Sequence, residues 1–279
     1  IGPIPAMGVQ GAALATVIAR VMETLIVVVW SHTHMDKNPY LKGAYRSPYI
    51  PGPVLKVVLK KGLPLMFNEM LWATGMTVIV QCYATRGLEV VAAQNISSTI
   101  TNLFNIVYLQ LGGCISIVVG QLLGAGRLEE AKDADNKMIF FSVGCCSIVA
   151  FLMVIFGRFF PAIYNTQQEI KDLATRFIIV SALVMPLCSF SHSTYFTLRS
   201  GGKTGVTFLF DSVYTWVIVI PVAYLLAHVS SLGIVAVFFI VQFTEIVKVI
   251  IGAFMLKSNV WVQNIVSALE VTDQKAIEG

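Results

Sequence analysis

Glu69 and Asp211 are acids set inside apolar runs, within Gly62–Thr85 and Thr204–His228, and neither has a cation within one helical turn on its own segment. An acid that must be sheltered without a local counter-charge can take up a proton, or can offer hard oxygen ligands to Na⁺. Pro64 lies just before Glu69, removes one backbone hydrogen bond, and is expected to open or kink that turn. Counted from Lys61 and Lys203, each acid lies about 12 Å into its segment, so the two can meet. Arg20 with Glu23, and Glu245 with Lys248, stand at i, i+3 and can neutralise each other on one helix face. For Asp211 a structural pair with Lys248 or Arg20 from a neighbouring helix is the alternative to ion coupling.

Other polar residues sit in the same apolar context. His192 lies among Ser189, Ser191, Ser193 and Thr194, about 10 Å from the end of its segment. Imidazole titrates near neutral pH, so His192 reads as a proton relay or as a hydrogen-bonded cavity residue. Asn95, Ser98, Asn102 and Asn105 recur at helical spacing and form a polar stripe that should point inward. Such a stripe lines a hydrated cavity or bridges helices, and Asn68 is grouped with these cavity-lining residues. Gly112, Ser116, Gly120 and Gly124 repeat every four residues and read as a packing ridge. His32 and His34 at i, i+2 do not converge on one metal from a helix, so no metal other than Na⁺ at Glu69 and no cofactor is expected.

The elements that must hold these residues are membrane helices. The 279 residues are 56% hydrophobic and only 12% charged, whereas soluble domains carry roughly a quarter charged residues. Seven segments reach the roughly 20 apolar residues that cross a hydrocarbon layer: Gly8–Trp30, Gly62–Thr85, Val90–Leu122, Met138–Gly157, Leu173–Leu198, Thr204–His228 and Gly233–Leu256. Their apolar runs are continuous and do not alternate, which predicts an all-α polytopic protein and not a barrel. Turn chemistry separates them, as in Gly124-Ala125-Gly126 and Ser200-Gly201-Gly202. A net charge of +4 without a dense basic block excludes nucleic acid as the expected partner. The five cysteines show no Cys-x-x-Cys spacing and read as packing residues.

Loop charge sets the expected orientation. The side that holds the 31–61 connection also gathers Arg127, Lys132, Lys137, Arg199, Lys203 and Lys257, leaving Arg86, Arg158, Lys171 and Arg176 opposite. The first side is therefore read as cytoplasmic, together with the tail 258–279. Pro39, Pro48, Pro51 and Pro53 prevent one continuous helix between Ser31 and Pro53, which reads as a linker between two bundles. Gly8-Val9 with Arg20 and Glu23 matches Gly233-Ile234 with Glu245 and Lys248 at one offset, the pattern of a six-helix parallel repeat. The chain opens at Ile1-Gly2-Pro3-Ile4-Pro5 without a charged leader, so neither a signal peptide nor a natural start is read there.

Four elements then carry a resemblance: Gly8-Val9-Gln10-Gly11-Ala12-Ala13-Leu14-Ala15-Thr16; Gly62-Leu63-Pro64 with Glu69; Val119-Gly120-Gln121-Leu122-Leu123-Gly124-Ala125-Gly126 with Ala131; and Leu198-Arg199-Ser200-Gly201-Gly202-Lys203-Thr204. In this order the chain resembles the multidrug and toxic compound extrusion (MATE) family along nearly its whole length. The resemblance implies a twelve-helix transporter of two six-helix lobes that exports drugs or organic cations in exchange for Na⁺ or H⁺. Residues 1–31 would then be the last helix of the first lobe, 32–57 the cytoplasmic interlobe loop, 58–257 a complete second lobe and 258–279 a cytoplasmic tail. The implied partners are a small organic substrate, the lipid bilayer of the cell membrane and a missing amino-terminal lobe. Two departures stand out: the first lobe's cation-binding Asp would lie in absent sequence, and the tenth helix lacks an Asp, with His192 nearby instead.

On this reading Glu69 and Asp211 couple the cation, with Glu245, Lys248, His192, Arg20 and Glu23 as secondary candidates. Met66, Trp72, Met76 and Tyr108 offer a broad apolar surface to the substrate. A lipid-linked oligosaccharide flippase of the same superfamily would need a strongly cationic cavity, and only Arg20 and Lys248 are central cations. An inactive fragment is the other alternative. No His-Glu-x-x-His, Gly-x-Ser-x-Gly or paired-Asp protease pattern points to an enzyme.

Overall fold

The computed structural model describes residues 8–43, 45, 50 and 52–262. Pro48, Pro51 and the tail from 263 onward lie outside the described residues. The described chain is helical, and seven helices are long and apolar enough to cross a membrane. It divides into two compact units, Ile1–Val57 and Val58–Gly279.

The first unit contains α1, Gly8–Thr33, which is about 39 Å long at 1.5 Å per residue and apolar around most of its circumference. Arg20 Nη1 and Glu23 Oε2 pair at 2.8 Å as their spacing requires, but both side chains are exposed on this unit. After α1 the chain turns through a short 3₁₀ segment, Pro39–Leu41, and His32 Nε2 lies 3.0 Å from the Tyr45 hydroxyl.

From Gly52 the chain runs as α2, Gly52–Ala84. It is followed by α3, Leu88–Gly124; α4, Leu128–Gly157; α5, Gln168–Ser200; α6, Thr204–His228; and α7, Ile234–Lys257. The second unit is centred on α5, which packs on α3, α4 and α7. At Gly112 the small-residue ridge of α3 permits the close approach of α5, because a Cβ added there would run into the Phe196 ring, whereas one at Gly120 would meet Ser200 Cβ at an ordinary 3.9 Å. The turn signals also perform as read, because Gly126 and Gly202 adopt φ of 73° and 70°, a left-handed conformation that glycine reaches without Cβ strain.

Several helices extend beyond the apolar segments. The start of α4 is Leu128 and not Met138, because its polar first turns neutralise themselves. Arg127 pairs with Glu130, Lys132 with Glu129 and Lys137 with Asp133, all at i, i+3 or i, i+4. This places Asp135 inside a helix, 1% exposed, where the sequence reading had a loop.

The backbone irregularity also sits elsewhere than expected. Pro64 is accommodated inside continuous α2. It is α6 that departs from α-helical geometry, winding as a π-helix over Leu209–Val213 and again over Thr215–Val219. In α7 the regular helix is interrupted at Thr244, between Ile234–Phe243 and Glu245–Lys257, and the Tyr214 hydroxyl of α6 donates to the Thr244 carbonyl at 2.5 Å. Single-turn π segments and interrupted helices are frequent at functional sites.

Arg86, between α2 and α3, ties the end of α6 in place. Its guanidinium donates to the carbonyls of Leu226 at 2.7 Å, Ala227 at 2.6 Å and Ser230 at 2.6 Å. Leu226 and Ala227 belong to the last turn of α6, whose carbonyls lack intrahelical backbone donors, and Ser230 follows just past its end, so a cation there is favourable in both charge and hydrogen bonding.

Candidate functional site

Where α2, α5, α6 and α7 meet, one connected set of polar side chains crosses the second unit. Asp211 lies in the first π segment, and its Oδ1 accepts a bond from Lys248 Nζ of α7 at 2.8 Å. Both side chains are nearly dry, 12% and 8% exposed. The ammonium also lies 5.2 Å from the centroid of the Phe210 ring, a cation–π contact that replaces part of its lost hydration. The i, i+3 pairing of Lys248 with Glu245 is therefore not what forms. Glu245 is half-buried in the first turn of the second half of α7, while Lys248 of the same helix reaches Asp211 of α6.

Asn68 is the hub. It is 1% exposed, so it is buried among helices and does not line a cavity as expected from its sequence. Its Nδ2 donates to Asp211 Oδ2 at 3.2 Å and to the Tyr195 hydroxyl at 3.3 Å. Its Oδ1 accepts from Ser212 at 2.7 Å, and its carbonyl accepts from the same hydroxyl group at 2.9 Å. Donors face the carboxylate and the acceptor faces the hydroxyl, so the surroundings fix the amide's orientation.

Tyr195 carries the connection outward, donating its proton to Glu69 Oε1 at 3.0 Å. Glu69 is 57% exposed at the side chain and lies 3.6 Å from Arg199 Nη1 of α5. The acid that had no cation on its own helix thus finds one on another. Its ion pair is loose and solvated, the kind worth little in stability, whereas Asp211–Lys248 is short and enclosed. The two carboxylates meet, as their depths allowed, through Tyr195 and Asn68 and not by direct contact.

The order Glu69, Tyr195, Asn68, Asp211, Lys248 gives the site a definite capability. Neutralising Glu69 removes the charge that orients the Tyr195 hydroxyl, which in turn shares the Asn68 amide with Asp211. A line of hydrogen bonds thus joins an accessible acid to a buried ion pair beside loosened backbone. Tyr195 carries no mark in the sequence, and Arg199 is marked there only as a loop cation and as part of the Leu198–Thr204 element, although the two stand one turn apart on one face of α5.

The remaining candidates are arranged around this line. His192 is half-buried, its Nδ1 is 3.0 Å from the Cys188 carbonyl, and its ring lies 4.7 Å from that of Tyr108. The carbonyl fixes Nδ1 as the protonated nitrogen of the neutral ring. In the stripe on α3, Asn95 and Asn102 are exposed and Ser98 and Asn105 half-buried within this unit. Among the described residues the Ser98 hydroxyl reaches only the Asn95 carbonyl of its own helix, so no interhelical bond uses it. Arg20 and Glu23 belong to the first unit and pair with each other. No group of three or more His, Cys, Asp or Glu among the described residues could hold a metal.

A bundle of membrane-crossing helices with broken helices around buried, paired charge is the build of a membrane transporter. The sequence model of the MatE family matches residues 64–225, more than half of the chain, and the chain belongs to this family. Its members are transporters and not enzymes. The chain is similar to the uncharacterized transporter YisQ of Bacillus subtilis, 21% identical over 93% of this chain and 56% of that protein. It is also similar to the multidrug resistance protein MdtK of Edwardsiella ictaluri, 22% identical over 82% of this chain and 50% of that protein. A crystal structure of a MATE in complex with MaL6 shares the fold with a TM-score of 0.77 at 20% identity, over 95% of this chain and 58% of that one. The chain thus spans about half the length of the relatives it matches, and its seven membrane-length helices make it a multi-pass membrane protein.

Proposed function

We propose that this chain is the ion-coupled part of an efflux antiporter that exports organic cations or other drugs in exchange for Na⁺ or H⁺. The observation that carries the reading is the unbroken polar connection from half-exposed Glu69 to the buried Asp211–Lys248 pair. Glu69 is the point of arrival for the coupling cation, since it is the accessible member. Asp211 already holds a protein cation, so it answers to the arrival at Glu69 by changing its grip on Lys248. Relatives named as multidrug resistance proteins support drugs as the cargo, and the exposed side chains of Met66, Trp72 and Met76 beside Glu69 supply apolar surface for it. The polar face of α3 at Asn95 and Asn102 lines the hydrated route on the same reading.

In this scheme residues 58–257 work as one six-helix lobe, 1–31 is the last helix of another, and the 32–57 connection and 258–279 tail face the cytoplasm. The flippase alternative gains no support from the site, because Lys248 and Arg199 are both committed to carboxylates. The test is efflux from vesicles that contain the complete gene product and a fluorescent organic cation. An imposed Na⁺ or proton gradient is expected to drive efflux, and collapsing it with the matching ionophore is expected to stop it. Efflux indifferent to both gradients would contradict the proposal.

A further inference from the structure

A third carboxylate of the second unit takes no part in this network. Asp135 of α4 faces α5, is 1% exposed, and its Oδ1 lies 2.5 Å from the hydroxyl of Thr197. The Thr197 hydroxyl is also 3.0 Å from the Ser193 carbonyl, one turn back on α5. A hydroxyl has one proton to give, and here two acceptors compete for it. Ser193, buried at the same interface, does not relieve the competition, because its own hydroxyl has no hydrogen-bond partner.

No counter-charge compensates. Among the described residues no Lys, Arg or His forms an ion pair with Asp135 or is close enough to act on its charge. The charged neighbours along α4 are committed to one another, Lys132 to Glu129 and Lys137 to Asp133. On α5, Arg199 and Tyr195 engage Glu69, and His192 engages Cys188. Ala131 and Ile139, one turn to either side of Asp135, belong to an apolar cluster with Ile115, Val119 and Leu123 of α3. An ionised carboxylate in such a place, with one contested hydroxyl, is poorly compensated.

We propose that the α4–α5 interface is a separate proton-binding site, with Asp135 held in it as the carboxylic acid. As the acid, Asp135 donates to the Thr197 oxygen, Thr197 donates to the Ser193 carbonyl, and each proton is used once. Loss of the proton leaves a charged carboxylate in an apolar interface, with one hydroxyl that it shares with the Ser193 carbonyl. The contact is a direct oxygen–oxygen one, with no gap for a metal ion between the two atoms.

Infrared difference spectroscopy on the complete gene product in lipid vesicles at neutral pH tests this, with and without ¹³C-labelled aspartate. The expected result is a carboxylic-acid C=O band that moves with the label, vanishes in Asp135→Asn and shifts upward in Thr197→Val, where the accepting hydroxyl is gone. Should Asp135→Asn fail to fold, the Thr197→Val shift alone still assigns the band. Loss of a carboxylate band in place of an acid band on Asp135→Asn would overturn the proposal, and so would disappearance of the acid band on adding Na⁺ at constant pH. Glu69→Gln leaves this band unchanged, so the outcome is separate from that of the coupling reading.

Discussion

Glu69→Gln is expected to reduce gradient-driven efflux by the complete gene product to the rate of empty vesicles, while expression and thermal stability stay close to those of the parent. The two halves of this expectation have one physical origin. Glutamine keeps the shape of the side chain and an Oε1 that still accepts from Tyr195, and the Arg199 pair that it gives up is half-exposed, so the cost to stability is about 1 kcal/mol or less. What glutamine cannot do is change charge. A coupling cation then has nothing to neutralise, and Tyr195 has nothing to report. Efflux rates in vesicles, set beside a melting curve of the same preparation, check both halves, and efflux at the parent's rate would remove Glu69 from coupling.

Lys248→Met should act in the opposite manner, through the fold. It leaves the Asp211 carboxylate enclosed, with Asn68 as its remaining side-chain partner. Breaking one side of a buried ion pair costs about 3–5 kcal/mol, most of it from the charge left behind. Adding Asp211→Asn should restore much of the loss, because the amide carries no charge to strand, and the double variant should melt well above the single one. If the single variant melts with the parent, the pair is not enclosed as described. The same double variant should bind no coupling response to Asp211, so restored stability without restored coupling separates the structural part of the pair from its working part.

The helices were legible because hydrocarbon imposes a simple demand, a continuous apolar run of sufficient length, and all seven runs satisfy it. Their ends were less legible where the chain leaves that demand behind. The first turns of α4 are held by local ion pairs, which do not register as hydrophobic sequence, and Asp135 was concealed among the charges that make them. Glu69 and Asp211 stood out as acids without local cations, and Lys248 was already one of the partners open to Asp211. Tyr195 and Arg199 gave no such signal, since they meet Glu69 from more than a hundred residues away and an aromatic or basic residue on a helix is ordinary until its neighbour is known. Pro64 drew attention as the breaker, yet α2 runs on through it as continuous helix, whereas α6 loosens around Asp211 without any proline in Leu209–Val213. Thr215, which donates to the Asp211 carbonyl at 2.9 Å, is part of how that backbone is satisfied.

On the proposed coupling, the charge state of Glu69 reaches Asp211 through the Tyr195 hydroxyl. The most direct measurement is the apparent affinity for the coupling cation in the parent, Tyr195→Phe, Asp211→Asn and the double variant. Residues in one hydrogen-bond network are not additive, whereas independent sites are. Removing the hydroxyl is therefore expected to change the affinity when Asp211 is present and to change little once Asp211 is already Asn. Effects that simply add would contradict the account.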